Sequence, residues 1–204
     1  MKNHNNFPNI IPIQQPNHSY INTTEIVSYN HDVFLDKPIE EATEYRDLIS
    51  LLVNANEGDV INLFINSPGG LLDTSLAIIE SIKVSKAYVV GIINGACHSA
   101  ASILVMYCSE VIVLDNAYMM IHTASFGSSG MTNNVKNHTD FTVRQVESLL
   151  DNTYSGFLTK KELENIKQGL ELWLDAEDIR GRLVDRQSYL KKQYKKMQHP
   201  KIVN

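Results

Sequence analysis

Val60-Ile61-Asn62-Leu63-Phe64-Ile65, followed by Asn66-Ser67-Pro68-Gly69-Gly70, decides how this chain is read. The first six residues are β-rich and largely apolar, which predicts a buried parallel strand. The next five hold one proline and two glycines and predict a turn. From Leu72 to about Val84 the pattern turns helical. Ala87 to Ile93 predicts a second apolar strand, Asn94-Gly95 a second turn, and Cys97 to Tyr107 a helix of small and apolar residues. Val111-Ile112-Val113-Leu114 and Tyr118-Met119-Met120-Ile121 read as strands flanking an Asp115-Asn116 turn. Upstream, Asp32-Val33-Phe34-Leu35 makes a short strand, and Pro38 suits a helix start. Ile39, Ala42, Tyr45, Leu48, Ile49 and Leu52 recur at helical spacing behind it. Strand, helix, strand, helix, strand predicts an α/β fold of repeated βαβ units with right-handed crossovers and a mostly parallel sheet.

Further along, Phe126-Gly127-Ser128-Ser129-Gly130 is a loop of mostly small residues. A long helix is expected from about Thr132 to Phe157, its apolar positions sparse before Val143, so that its first half projects from the domain. Thr159-Lys160-Lys161-Glu162 has the form of a capping box opening another helix. Residues 1–27 form an Asn/Pro-rich arm: Met1 to His31 holds seven Asn and three of the six Pro. Residues 28–190 carry the folded domain, and 191–204 a basic tail.

The 204 residues suffice for one domain with its own core, and the apolar (43%) and charged (20%) fractions are those of a globular chain. A net charge of −5 does not suggest nucleic-acid binding. After Asp185 only basic charges occur, from Arg186 to Lys201, and such a tail suits an acidic partner or plain solvation. The N-terminus lacks a signal-peptide core, and no apolar run reaches the ~18 residues of a membrane helix. Set on one helix, Cys97 and Cys108 stand roughly 16 Å apart at about 1.5 Å per residue, too far for a disulfide. With no Cys/His ligand grouping, the expectation is reduced thiols, no metal, no cofactor and a cytoplasmic location.

Three places could carry chemistry. Ser99 is expected on the first turn of a helix, with Ala96, Ala100 and Ala101 leaving room for a substrate backbone. A hydroxyl there gains from the positive helix end as it becomes an alkoxide, although serine among alanines is also ordinary helix packing. His122 ends a buried strand at the sheet rim, where α/β folds place ligands, and a general base is what a serine nucleophile needs. His98 adjoins Ser99 in sequence and reads as a packing or rim residue. Gly69 and Gly70 let backbone N–H groups approach a developing negative charge, or simply make a tight turn. They lack the spacing of a phosphate-binding loop.

Ile65-Asn66-Ser67-Pro68-Gly69-Gly70, Gly95-Ala96-Cys97-His98-Ser99-Ala100-Ala101 and Met120-Ile121-His122 occur in the order and spacing of the Clp protease proteolytic subunit. Trp173-Leu174-Asp175-Ala176-Glu177 and Gly181-Arg182-Leu183-Val184-Asp185 resemble that family's C-terminal region. The resemblance runs from about Asp32 to Asp185 and implies a ClpP/crotonase-like fold of repeated βαβ units with a projecting handle made of a strand plus a long helix. It makes Ser99 the nucleophile, His122 the general base, and Gly70 N–H and Ala100 N–H the oxyanion hole. Gly69, Leu71 and Leu72 would pair with a substrate strand by β-augmentation. Where the family has an aspartate two residues before an aromatic, this chain has Glu171 before Trp173. A glutamate can still orient the imidazole, because the triad is defined by role.

The chain departs elsewhere too. Thr123-Ala124 replace the family's Gln-Pro after the histidine, and Leu170 replaces an arginine that forms ion pairs between rings. The resemblance implies an ATP-dependent serine endopeptidase acting on unfolded polypeptides through an acyl-enzyme. It also implies a homo-oligomer of heptameric rings, stacked as a tetradecamer and fed by an AAA+ unfoldase. The alternatives are a phage-encoded capsid-maturation protease, an inactive structural ring subunit, and a crotonase-type acyl-CoA enzyme. A dead paralogue has little reason to keep Ser99 with His122, and a crotonase needs neither.

Overall fold

A computed structural model describes residues 27–198. Most of the expected N-terminal arm, and residues 199–204 of the expected tail, lie outside them. The elements are β1 (Asn30–Leu35), a 3-10 turn (Ala42–Tyr45), α1 (Arg46–Asn54), β2 (Val60–Ser67), α2 (Leu72–Val84) and β3 (Tyr88–His98). There follow α3 (Ala100–Val105), β4 (Glu110–Val113), β5 (Tyr118–Ile121), α4 (Thr132–Tyr154), α5 (Lys160–Lys167), β6 (Leu172–Asp175) and α6 (Ala176–Gln198). They form the expected α/β architecture, with one correction to the handle: its long helix α4 is present, but among the described residues no strand lies between Ile121 and Thr132, where the segment pairs with no other strand. One sheet runs β1-β2-β3-β5-β6, with β4 also pairing β3; every pairing is parallel except β5 with β6.

Ile61, Leu63 and Ile65 on β2 and Ile93 on β3 are fully buried in a core shared with Ile78 of α2 and Leu104 of α3. Their alternation with less buried neighbours corrects the reading of β2 as a strand buried on both faces. Phe34 and Phe64 stack on the other face at 4.9 Å, and Phe34 remains 61% exposed. Ile112 and Leu114 are exposed as well.

Three boundaries differ from expectation, each for a tertiary reason. Helix α1 starts at Arg46 rather than behind Pro38, because Ile39 is drawn into a parallel bridge with Gly70. Asn94-Gly95 is not a turn. The β2–β3 ladder is irregular between Ile65 and Ser67, and there Asn66 Oδ1 accepts a hydrogen bond from Ala96 N–H (2.9 Å), carrying β3 onward to His98. A Cβ on Gly95 would lie 2.4 Å from that same oxygen, which is why a glycine stands there. Finally, β6 was not anticipated: four residues give too little periodicity, and pairing with β5 creates the strand.

Prolonging β3 moves Cys97 from the expected helix into the strand, so the helical spacing argued for the cysteines does not apply; both are nonetheless free thiols. Burial raises both thiol pKa values, that of Cys108 to about 12. The capping box forms as predicted. Glu162 N–H donates to Thr159 Oγ1 (3.2 Å), while Glu162 Oε2 accepts from Thr159 N–H (2.8 Å). Helix α6 continues through residues 191–198, the first part of the expected basic tail. Among the described residues no helix is long and apolar enough to cross a membrane, and no His/Cys/Asp/Glu group could hold a metal ion.

Candidate active site

Strand β3 splits its pairing along one edge. Val90–Ile93 pair with β4 and Ala96–His98 with β5, which brings the end of β3 beside the end of β5. Ser99 follows β3 directly and caps α3, so it stands on a strand-to-helix elbow rather than within a helical turn. Its φ of 53° and ψ of −124° make it the one non-glycine residue with positive φ among those described. Such a conformation costs roughly 1–3 kcal/mol and persists only where the surroundings impose it. Here Ser99 N–H donates to Met120 O at 2.8 Å, and Ser99 O accepts from Ser102 N–H at 2.9 Å.

His122 immediately follows β5. Its Nε2 lies 2.7 Å from Ser99 Oγ, within hydrogen-bonding distance, and both residues are half-buried. This is the geometry by which an imidazole takes a proton from a serine hydroxyl. His98, by contrast, packs against Tyr118 and Trp173 with ring centroids 5.0 and 5.1 Å away. Burial holds its pKa below the ordinary value.

Gly69 approaches this elbow as closely as a backbone can. At φ +84°, a Cβ on Gly69 would stand 2.5 Å from His98 O and 2.8 Å from Ser99 Cβ. Next to it, Ile39 N–H donates to Gly69 O (2.8 Å) and Leu71 N–H donates to Ile39 O (2.7 Å). Two of the groups expected to receive a substrate strand are thus already paired within the chain. Gly70 N–H and C=O alternate to the other side of that extended stretch. Leu71 is 45% exposed, and Leu72 opens α2.

Glu171 sits one residue before β6. The β5–β6 register pairs Ile121 with Leu172, and one further step sets His122 opposite Glu171. The carboxylate nevertheless accepts a hydrogen bond from Trp173 Nε1–H at 3.0 Å and forms none with His122. The structure therefore joins Ser99 to His122 and leaves Glu171 adjacent but turned to the indole. Sequence reading missed Ile39, Asn66 and the Trp173 indole. A side-chain amide beside Pro-Gly-Gly is the one local signal that could have pointed to Asn66.

A family model for Clp protease matches residues 15–184. The chain is also 31% identical over 111 residues to the ATP-dependent Clp protease proteolytic subunit 1 of Streptomyces coelicolor, a match covering 53% of this chain and 51% of that protein. The chain thus spans about half the length of the curated relative it matches.

Proposed function

Because the chain belongs to the Clp protease family, we propose that it is a serine-type endopeptidase subunit whose nucleophile is Ser99. The observation carrying this reading is the 2.7 Å contact of His122 Nε2 with Ser99 Oγ at a strained elbow. His122 takes the hydroxyl proton as Oγ attacks the substrate carbonyl carbon. The carbonyl oxygen gains the negative charge and is received by Gly70 N–H and Ala100 N–H. His122 then returns the proton to the leaving amine, and an acyl-enzyme on Ser99 remains for water to hydrolyse. Glu171 completes the site by leaving the indole for His122 Nδ1, where it fixes the tautomer and stabilises the imidazolium. The substrate, an unfolded polypeptide, pairs as a strand along Gly69 to Leu72, principally through Gly70 C=O, because Gly70 N–H serves the oxyanion.

The working form is an assembly. A largely parallel sheet normally has both faces covered, yet here Phe34, Tyr88, Ile112 and Leu114 are exposed. Met131, just before α4, and Phe141 in its first half add to this, 75% and 55% exposed. These surfaces suit self-association, and family membership supports reading the assembly as heptameric rings, stacked in pairs and fed by an AAA+ unfoldase that supplies the ATP dependence, in the cytoplasm. The test is reaction of the intact protein with a fluorophosphonate followed by mass spectrometry. A single adduct on Ser99 is expected; an unmodified protein would sink the reading.

A further inference from the structure

Beneath the elbow a chain of hydroxyls reaches the carbonyl of Ser99. Ser102 Oγ donates to Ser99 O at 2.7 Å and lies 2.7 Å from Tyr154 Oη. A serine hydroxyl has one proton, and the carbonyl can only accept, so Tyr154 must be the donor in the second bond. The direction is therefore fixed: Tyr154 O–H to Ser102 Oγ, and Ser102 O–H to Ser99 O. Ser102 is fully buried and Tyr154 is 1% exposed, so water does not compete for these groups. Burial also raises the phenol pKa, keeping its proton in place.

The carbonyl of Ser99 and the N–H of Ala100 belong to one peptide unit, which is planar, so fixing the oxygen fixes the direction of the N–H at its other end. Ser99 O accepts from Ser102 N–H, Ser102 Oγ and, at 3.3 Å, Ile103 N–H. Of these three donors only the hydroxyl is itself held from another element, at the last turn of α4. A second hydroxyl pair, Tyr107 Oη with Thr153 Oγ1 at 3.0 Å, joins the same region without touching Ser99.

Resting on the reading of Ala100 N–H as an oxyanion donor, we propose that Ser102 and Tyr154 are positioning residues for the oxyanion hole, aiming that N–H by holding the far end of its peptide plane. They touch no substrate and act on the transition state alone. Their loss therefore lowers kcat and leaves KM in place.

The test uses four full-length proteins: wild type, Tyr154→Phe, Ser102→Ala and Tyr107→Phe. Two rates are read: phosphonylation of Ser99 by a fluorophosphonate, whose phosphonyl oxygen occupies the same hole, and turnover of a fluorogenic peptide across pH. Outright removal of an oxyanion donor costs about 10²–10³ in kcat, so misaiming one should cost about tenfold. Tyr154→Phe and Ser102→Ala are expected to slow both rates by that factor, with KM and the midpoint of the pH profile unchanged. Tyr107→Phe, which breaks only the neighbouring pair, should stay within threefold of wild type. Should Tyr154→Phe fail to fold, Ser102→Ala carries the comparison. The positioning role is overturned if Tyr154→Phe and Ser102→Ala remain within threefold, or if Tyr107→Phe slows the enzyme as much as they do. Wild type that reacts while the variants keep pace removes only the relay. Wild type that gains no adduct on Ser99 removes the serine-peptidase reading and the relay together.

Discussion

Ser99 combines a histidine nitrogen at 2.7 Å from its hydroxyl with a backbone that serine adopts at a cost. Its φ and ψ are those of the first central residue of a type II′ turn, where glycine is preferred. Ser99→Ala should therefore abolish peptide hydrolysis without relieving the strain, with a thermal midpoint close to wild type. Ser99→Gly should abolish it too, yet raise stability by about 1 kcal/mol as the strain disappears. Peptide turnover and thermal melts of both variants check this pair, and residual activity within tenfold of wild type would remove Ser99 as nucleophile. Glu171 is the other residue-scale question, because its carboxylate bonds the Trp173 indole rather than His122. Glu171→Gln should lower turnover more than about tenfold with little change in stability, through loss of charge support for the imidazolium. Unchanged activity would mean that Ser99 and His122 work as a dyad. Glu171→Asp is the companion measurement: higher turnover would mark the longer side chain as a compromise, and lower turnover a site built for glutamate.

Among the elements, β3 matters most because its continuation delivers Ser99. Gly95→Ala would push a methyl to 2.4 Å from Asn66 Oδ1 and disturb the bond that carries the strand past the irregularity. It should destabilise by about 1–3 kcal/mol, as overpacking does, and lower kcat more than a surface change of equal stability cost. Denaturant unfolding together with turnover separates the two effects. At the start of α5, Glu162 serves the capping box and also pairs with Arg182 of α6 at 2.7 Å. The Arg182 guanidinium is the main reason its carboxyl falls from the usual 4.5 to about 2. A depressed folded-state pKa means stability that is complete above pH 4.5 and is lost as pH falls toward about 2. Glu162→Gln should cost about 2 kcal/mol at neutral pH, the scale of a charge-assisted hydrogen bond. Its deficit against wild type should shrink across that acid window; a deficit that stays constant down to pH 2 would disprove the linkage.

At the scale of the whole molecule, the exposed apolar side chains of the sheet and of the first half of α4 underlie the proposed assembly. Leu170, 56% exposed, stands where the resemblance places an arginine of ring-to-ring ion pairs, so in the proposed stack of rings the contact should rest on packing. Apolar burial is little affected by salt, whereas exposed ion pairs weaken as the Debye length falls below about 10 Å. Mass photometry should therefore find an assembly well above a dimer at both low and molar salt. Monomers at both, or dissociation by salt alone, would contradict this.

From the sequence alone, the order of strands and helices through Ile121, the helix Leu72–Val84, the capping box at Thr159 and the pairing of Ser99 with His122 were all legible. The first three rest on local periodicity or a short cap motif, and these survive folding unchanged; the pairing of Ser99 with His122 came only through the resemblance of three motifs to the Clp protease family, since each residue alone reads as well as a packing residue. The tertiary structure alone decided that Asn94-Gly95 continues a strand. A turn signal describes the chain's own preference, and the Asn66 side chain overrode it from another strand. It also decided that Ile39 occupies the edge beside Gly70, that β6 exists, and that Glu171 turns to an indole. In each case the controlling partner is distant in sequence or is a side-chain direction, and neither is written in the periodicity of the segment concerned.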